Sequence, residues 1–274
     1  MGTSERSSLD LMLRSLKLPS FVAHHESLCS RAEREGWSFE QVLRALAETE
    51  LEERRQRRVA RNAKQSQLPA DKTLAALNTK RLPATTRRQV PALCEWGFIE
   101  RGENILVFGL PGRGKTHVCC AIGHELIQRG YRVLFVPAFR LVQGLLIAKR
   151  DLELDRELRR LDGFDVVLID DIGYVQQDRE EMEVLFTFLA ERYERKSVMI
   201  SSNLVFSKWD QIFKDPMTTA AAIDRLVHHA VILELTGSSY RASDAKKRAA
   251  AGPNAEAPEP GKEKSSTATG KSAR

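Results

Sequence analysis

Gly109-Leu110-Pro111-Gly112-Arg113-Gly114-Lys115-Thr116 is the stretch that decides the fold. It fits the phosphate-loop pattern G-x-x-x-x-G-K-[ST] at every fixed position. Its flanks agree. Ile105-Leu106-Val107-Phe108 reads as a buried strand feeding the loop, and Lys115 to Gln128 reads as the helix leaving it, with Gly130 as the stop. Glycines in the loop let backbone N–H groups curl around phosphate oxygens without a Cβ in the way. The helix N-terminus then turns its unpaired N–H groups and the positive end of its dipole toward the anion. In such a loop the lysine, here Lys115, reaches the β- and γ-phosphates and the Thr116 hydroxyl ligates Mg²⁺. The candidate cofactor residues are therefore Gly109, Pro111, Gly112, Arg113, Gly114, Lys115 and Thr116. No Asn-Lys-x-Asp run for reading guanine is present, which favours ATP over GTP.

Working outward, apolar runs recur at Val133–Val136, Val166–Ile169, Val198–Ser202 and Val231–Leu235, with amphipathic helical stretches such as Glu180–Arg195 between them. This rhythm means βαβ crossovers and a parallel five-stranded sheet covered on both faces, an α/β core. The third strand ends in Asp170-Asp171, 55 residues after Lys115. Asp170, at the strand tip, is placed to hold Mg²⁺ beside Thr116, and Asp171 to polarise an attacking water. In isolation an acidic turn after a core strand would look the same; the loop upstream decides for the metal.

Ser201-Ser202-Asn203 ends the fourth strand, where the Asn203 amide can orient water at the γ-phosphate, although Asn also favours ordinary strand-ending turns. Arg225, just before the fifth strand, is a candidate to reach a neighbouring subunit's γ-phosphate; a surface ion pair with Asp224 or Asp215 is the plainer alternative.

Residues 1–80 read as a small all-helical module. Leu9, Met12, Leu13 and Leu16 repeat at helical spacing, Ser20 is a candidate cap for a second helix stopped by Gly36, and Ser38-x-x-Gln41 is a capping box opening a third. That helix runs into a basic stretch containing Arg54, Arg57, Arg58 and Arg61. Phosphate-backbone binding competes there with a solvated helix whose nearby glutamates offset the charge. Lys149 and Arg150 form a second basic spot. Residues 81–245 form the α/β core. Residues 246–274 are Pro-, Gly- and Ser-rich with almost no apolar bulk and read as a disordered tail.

The chain has 274 residues, a net charge of +6 and 42% hydrophobic residues. That suffices for one sizeable core plus a module, and no apolar run approaches the ~20 residues of a membrane span. Four cysteines without a C-x-x-C pair suggest reduced thiols, and the N-terminus lacks a signal-peptide pattern, so a cytoplasmic protein is expected. His24, His25, His228 and His229 show no metal-ligand spacing. Trp37, Trp96 and Trp209 read as packing residues.

Taken together, Gly-x-x-Gly-x-Gly-Lys-Thr-His at 109–117, Leu-Ile-Asp-Asp-Ile-Gly-Tyr at 168–174, Ser-Ser-Asn at 201–203, Asp-Arg-Leu at 224–226, Ser-Tyr-Arg at 239–241 and an opening Leu-Lys-Leu-Pro at 16–19 resemble the IstB family of transposition helper ATPases. The DnaC helicase loader is a more distant likeness. The resemblance implies an AAA+ P-loop NTPase core and brings His117 into the cofactor-binding stretch. It implies a homo-oligomer with ATP at subunit interfaces that binds double-stranded DNA and serves a partner IstA-like transposase. On this analogy Asp170 holds the metal, Asp171 takes the base position, Asn203 is the first sensor and Arg225 acts across the interface. Many AAA+ enzymes carry Glu where Asp171 stands. Only 39 residues follow Leu235, too few ordered ones for a full helical lid, and Arg241 is the nearest candidate for a second sensor. Alternative readings are a DnaC-like helicase loader or an ATP-dependent scaffold with little turnover.

Overall fold

The computed structural model describes residues 3–95, 97–174, 179–204, 209 and 216–236. Trp96, Asp215, the Ser-Tyr-Arg run at 239–241 with Arg241, and the tail at 246–274 lie outside the described residues.

Five parallel strands make the sheet: β1 (Asn104–Phe108), β2 (Val133–Pro137), β3 (Val166–Asp170), β4 (Ser197–Ser202) and β5 (Ala230–Glu234). Their order is β2-β3-β4-β1-β5. β1 and β4 are buried along their whole length, and β3 at every residue but its last. Continuous apolar strands of this kind are what a sheet covered on both faces requires. The order has a functional consequence. From β1 the chain crosses to the far edge at β2, returns through β3 and β4, then passes over to β5 on the other side of β1. Connections diverging on either side of β1 open a crevice at the carboxyl ends of the strands.

Alternation along the strands divides the core in two. Leu106, Phe108, Val167, Ile169, Val198 and Ile200 face one layer. It is built by α7 (Ala138–Arg150), α8 (Leu154–Asp162), α9 (Arg179–Arg192) and α10 (Pro216–Val227). Trp209 lies fully buried there, its ring 6.2 Å from that of Phe108. Ile105, Val107, Val166, Leu168, Met199 and Leu233 face the other layer, with α4 (Ala84–Leu93), the single turn α5 (Gly97–Glu100) and α6 (Lys115–Gln128). Cys119 and Cys120 of α6 are fully buried; burial pushes the Cys120 thiol up to about 12 and that of Cys119 well above its ordinary value, so both act as packing groups.

The helix predicted over 180–195 ends at Arg192. There the chain must turn into β4: Glu194 takes a left-handed φ of +56°, and the buried Arg192 guanidinium binds the carbonyls of Leu161, Phe164, Asp165 and Ser197 at 3.0–3.2 Å.

Ahead of the core lie α1 (Thr3–Ser15), α2 (Pro19–Glu35) and the long α3 (Phe39–Ser66). The capping box forms, with Gln41 N–H on Ser38 Oγ and Ser38 N–H on Gln41 Oε1. Ser20 does not cap α2. Leu18 holds the cap position and Pro19 the first helical one, where a missing N–H costs nothing. Ser20 is instead buried, donating its N–H to Glu50 Oε2 and its hydroxyl to Glu53 Oε2, both at 2.8 Å. A carboxylate from α3 thus satisfies the N-terminus of α2.

The end of α3 docks on the core: the buried Asn62 amide donates to the carbonyls of Gly130 and Tyr131 at 3.0 and 3.1 Å. Residues 67–78 then run as a strap along α6, with His124 Nε2 on Pro69 O and His117 Nε2 on Thr73 O, each 3.0 Å.

Candidate nucleotide site

The loop at 109–114 leaves the carboxyl end of β1, at the crevice the strand order creates. Gly109 lies so close to the exit of β5 that a Cβ there would come within 2.7 Å of the Leu235 carbonyl. Gly114, at the cap position of α6, has φ +88°, which a side chain rarely adopts; no side chain caps α6, so its first N–H groups face the loop. Lys115 is only 6% exposed, and its Nζ lies 3.4 Å from the Leu110 carbonyl within the loop. Arg113 Nη1 is buried without a hydrogen-bond partner among the described residues.

At the tip of β3 the carboxylate of Asp170 receives the Thr116 hydroxyl at 2.9 Å (Oδ1) and 3.1 Å (Oδ2). The Ser201 hydroxyl reaches the same Oδ1 at 2.6 Å. One residue on, Asp171 adopts a left-handed φ of +56° and gives its N–H to Ser201 Oγ at 2.9 Å. After β4 the Ser202 hydroxyl closes a turn, donating to Leu204 O and accepting from Leu204 N–H. Asn203 sits in that turn, its Oδ1 buried against Gly173 without a partner among the described residues.

The fold therefore gathers Gly109, Gly112, Gly114, Lys115, Thr116, Asp170, Asp171 and Asn203 at one end of the sheet. Pro111 is exposed on the loop. His117 spends its imidazole on the strap. Arg225 lies apart, on α10, its guanidinium 4.8 Å from the Phe186 ring centroid and bonded to Ala221 O. Sequence reading gives Ser201 no role of its own; its signal is a serine next to the last residue of a buried strand, directly after the apolar run Val198-Met199-Ile200.

The donors suit a nucleotide with Mg²⁺. A hard cation takes oxygen ligands, and Thr116 and Asp170 supply a hydroxyl and a carboxylate in contact. The partnerless Arg113 Nη1 and Asn203 Oδ1 are the kind of buried polar atoms that a bound anion and its water shell would satisfy.

Several basic side chains face partners within the chain. Arg54 pairs with the buried Glu50 at 2.6 Å, and Arg57 reaches Glu53 and Ser20 at 3.2 Å. Arg58 lies over Gly130, and Lys149 pairs with Glu183 at 2.9 Å. Arg61 and Arg150 are exposed, the latter 3.3 Å from Asp151. At the opposite end of the sheet the fold brings the Glu194 carboxylate beside His228 and His229, a grouping the sequence spacing did not show; all three are exposed.

A parallel sheet in this order, with the phosphate loop on β1 and the acids at the tip of β3, across β4 from it, is the architecture of AAA+ P-loop NTPases. Solved structures share the fold: DnaI at TM-score 0.53 and 20% identity over 62% of this chain and 96% of that one, and AMPPCP-bound DnaA from Aquifex aeolicus at 0.52 and 19% over 68% and 57%. Within this class the chain belongs to the family described as IstB-like ATP binding protein, whose sequence pattern matches residues 11–249. A protein from Sinorhizobium fredii named as an insertion-sequence ATP-binding protein is 42% identical over 88% of this chain and 81% of its own length. Another, from Pseudomonas aeruginosa, is 36% identical over 87% and 90%. Among the described residues no helix is long and apolar enough to cross a membrane.

Proposed function

We propose that this chain is an ATPase that assembles on duplex DNA, with ATP and Mg²⁺ between neighbouring subunits, and assists an insertion-sequence transposase. The observation that carries the reading is the Thr116–Asp170 contact at the mouth of the glycine loop. A phosphate cradle and a metal-holding pair meet there, with a second carboxylate and an amide one residue beyond the strand tips. Lys115 and the α6 N-terminus bind the β- and γ-phosphates, and Thr116 and Asp170 hold the cation. Asp171 orients and polarises the attacking water, and Asn203 fixes it at the γ-phosphate. When bound, Mg²⁺ neutralises charge developing on the transferred phosphoryl group.

Arg225 completes a neighbour's site from the subunit edge. Residues 1–80 serve DNA binding and assembly, and residues 81–245 carry the nucleotide. An apolar groove among α1, α2 and α3, lined by Leu9, Leu13, Phe21, Trp37 and Leu46, together with the exposed Leu11 and Met12, supports a contact surface in this region. The names of the relatives support the transposition setting, and ATP and DNA together place the work in the cytoplasm.

ATP hydrolysis measured with and without duplex DNA over a salt series tests the proposal. Stimulation by DNA that falls steeply as salt rises is expected, because phosphate contacts release counterions. A rate indifferent to DNA at every salt concentration overturns it.

A further inference from the structure

Ser201 touches both acids of the site with one oxygen. Its hydroxyl donates to Asp170 Oδ1 at 2.6 Å and accepts the Asp171 N–H at 2.9 Å. A hydroxyl has one proton and two lone pairs, so it can do both at once, which neither a carbonyl nor an ammonium group could. Ser201 is fully buried and sits where the β3–β4 ladder runs out: β4 pairs with β3 up to Ile169↔Ile200, and with β1 past Val107↔Ser201 to Phe108↔Ser202. Beyond Ile169 the chain leaves the ladder with β4, while Asp170 still pairs with Pro137 of β2. Asp171 departs in a left-handed conformation, with φ +56°, which residues with a Cβ adopt only where the surroundings hold them. The Ser201 oxygen takes the place of the missing ladder acceptor and holds that conformation.

We infer that Ser201 is a positioning residue for the hydrolytic site, setting the carboxylate of Asp170 toward the metal and the backbone of Asp171 toward the attacking water. The inference rests on the ATPase reading above. Among the described residues Oδ1 receives Ser201 and Thr116 and Oδ2 receives Thr116, so the carboxylate has a fixed plane before any cation arrives. The bond to Asp171 fixes where its side chain starts. Because Ser201 lies on β4 two residues before Asn203, which follows the strand, any shift of this strand moves both acids with it. A rigid supporting shell of this kind decides whether catalytic groups sit within the fraction of an ångström that turnover needs.

The test compares Ser201→Ala, Ser201→Cys and Ser201→Thr in the full chain. It reads kcat, the KM for ATP, the Mg²⁺ concentration giving half-maximal rate, and the melting temperature. Ala removes the oxygen, Cys keeps the size with a weak donor, and Thr keeps the hydroxyl. For Ala and Cys, kcat is expected to fall at least ~10-fold with the KM for ATP within ~3-fold, and the Mg²⁺ requirement to rise several-fold. Thr is expected to recover kcat to within ~3-fold of the parent.

Unchanged kcat and Mg²⁺ requirement in both Ala and Cys overturn the inference. So does a loss in Ala that Thr fails to repair at an unaltered melting temperature. A parent protein that hydrolyses no ATP fails the ATPase reading instead. The Mg²⁺ dependence of fluorescent ATP-analogue binding then decides the Ser201 question separately.

Discussion

Thr116 and Asp170 meet at 2.9 and 3.1 Å although 54 residues separate them in sequence. The first sits in the opening turn of α6 and the second at the last residue of β3, and β4 lies between β3 and β1. Two elements that are not neighbours in the sheet are thus linked through side chains at its carboxyl edge. The contact sets the loop helix and the β3 tip in the relation that a cation shared between them requires.

That link predicts strong non-additivity. Thr116→Ala and Asp170→Asn should each weaken Mg²⁺-dependent binding of an ATP analogue by ~10-fold or more, since each removes one half of a cation-holding pair. The double variant should lose little beyond the worse single one, because the two act as a unit. Binding measured in excess chelator should differ little among the four proteins. Equal losses with and without Mg²⁺ would show that the pair holds the loop and not the cation.

Asp171→Asn should separate binding from turnover. The amide keeps the size and the backbone N–H bond to Ser201, but it cannot polarise water. Hydrolysis is expected to fall by about 10²-fold or more with analogue affinity within ~3-fold of the parent. Steady-state rates and equilibrium titration of the same preparation check this. A small loss would mark the chain as a scaffold that holds ATP with little use for its cleavage.

Much of this was legible because the decisive signals are local. The loop sequence fixes a strand, a turn and a helix in one run, and α6 spans Lys115–Gln128 as read. The strands were visible as continuous apolar runs, since a parallel sheet buried on both faces leaves no polar alternation to blur them. What escaped were relations between distant segments. Ser20 looks like a cap in sequence because Ser favours that place, yet Pro19 takes the first helical position and Glu50, thirty residues on, satisfies the helix end. Ser201 looks like a strand terminus, and only the crossing of β4 beside β3 makes its hydroxyl a bridge between two acids. His117, adjacent to the loop motif, turns to the strap through a contact no spacing rule encodes.

Acid should loosen the α2–α3 pairing before the core. Burial alone would raise the Glu50 carboxyl, but the Arg54 guanidinium and the Ser20 N–H outweigh it and hold the group below its ordinary 4.5. Glu53 is also lowered, first by the Ser20 hydroxyl and then by His24. A carboxyl with a depressed folded pKa contributes stability that is present above the unfolded value and lost as pH falls through the folded one. Hydrogen exchange in residues 19–60 is therefore expected to accelerate relative to β1 and β3 as pH drops below about 4.5, after correction for intrinsic rates. Glu50→Gln, which keeps an acceptor but no charge, should exchange faster near neutrality and show a flatter pH response. Parallel loss of protection in hairpin and sheet would refute the local account.

Arg225 offers a test of whether the site is shared between subunits. In the single chain its guanidinium rests 4.8 Å from the Phe186 ring centroid and bonds to Ala221 O, with no ion pair to an acid among the described residues. If it serves a neighbour's γ-phosphate, Arg225→Ala should abolish turnover while leaving ATP binding intact, as Asp171→Asn does for the opposite reason. Mixing the two inactive proteins then creates interfaces at which an intact Asp171 from one subunit faces an intact Arg225 from the next. With random assembly at equal amounts, about a quarter of interfaces combine both, so activity should recover toward about a quarter of the parent rate. The recovery should depend on total protein concentration, since it requires mixed assemblies. Mixtures that stay inactive at concentrations where the parent assembles would confine Arg225 to its perch on Phe186 and make each subunit's site self-contained.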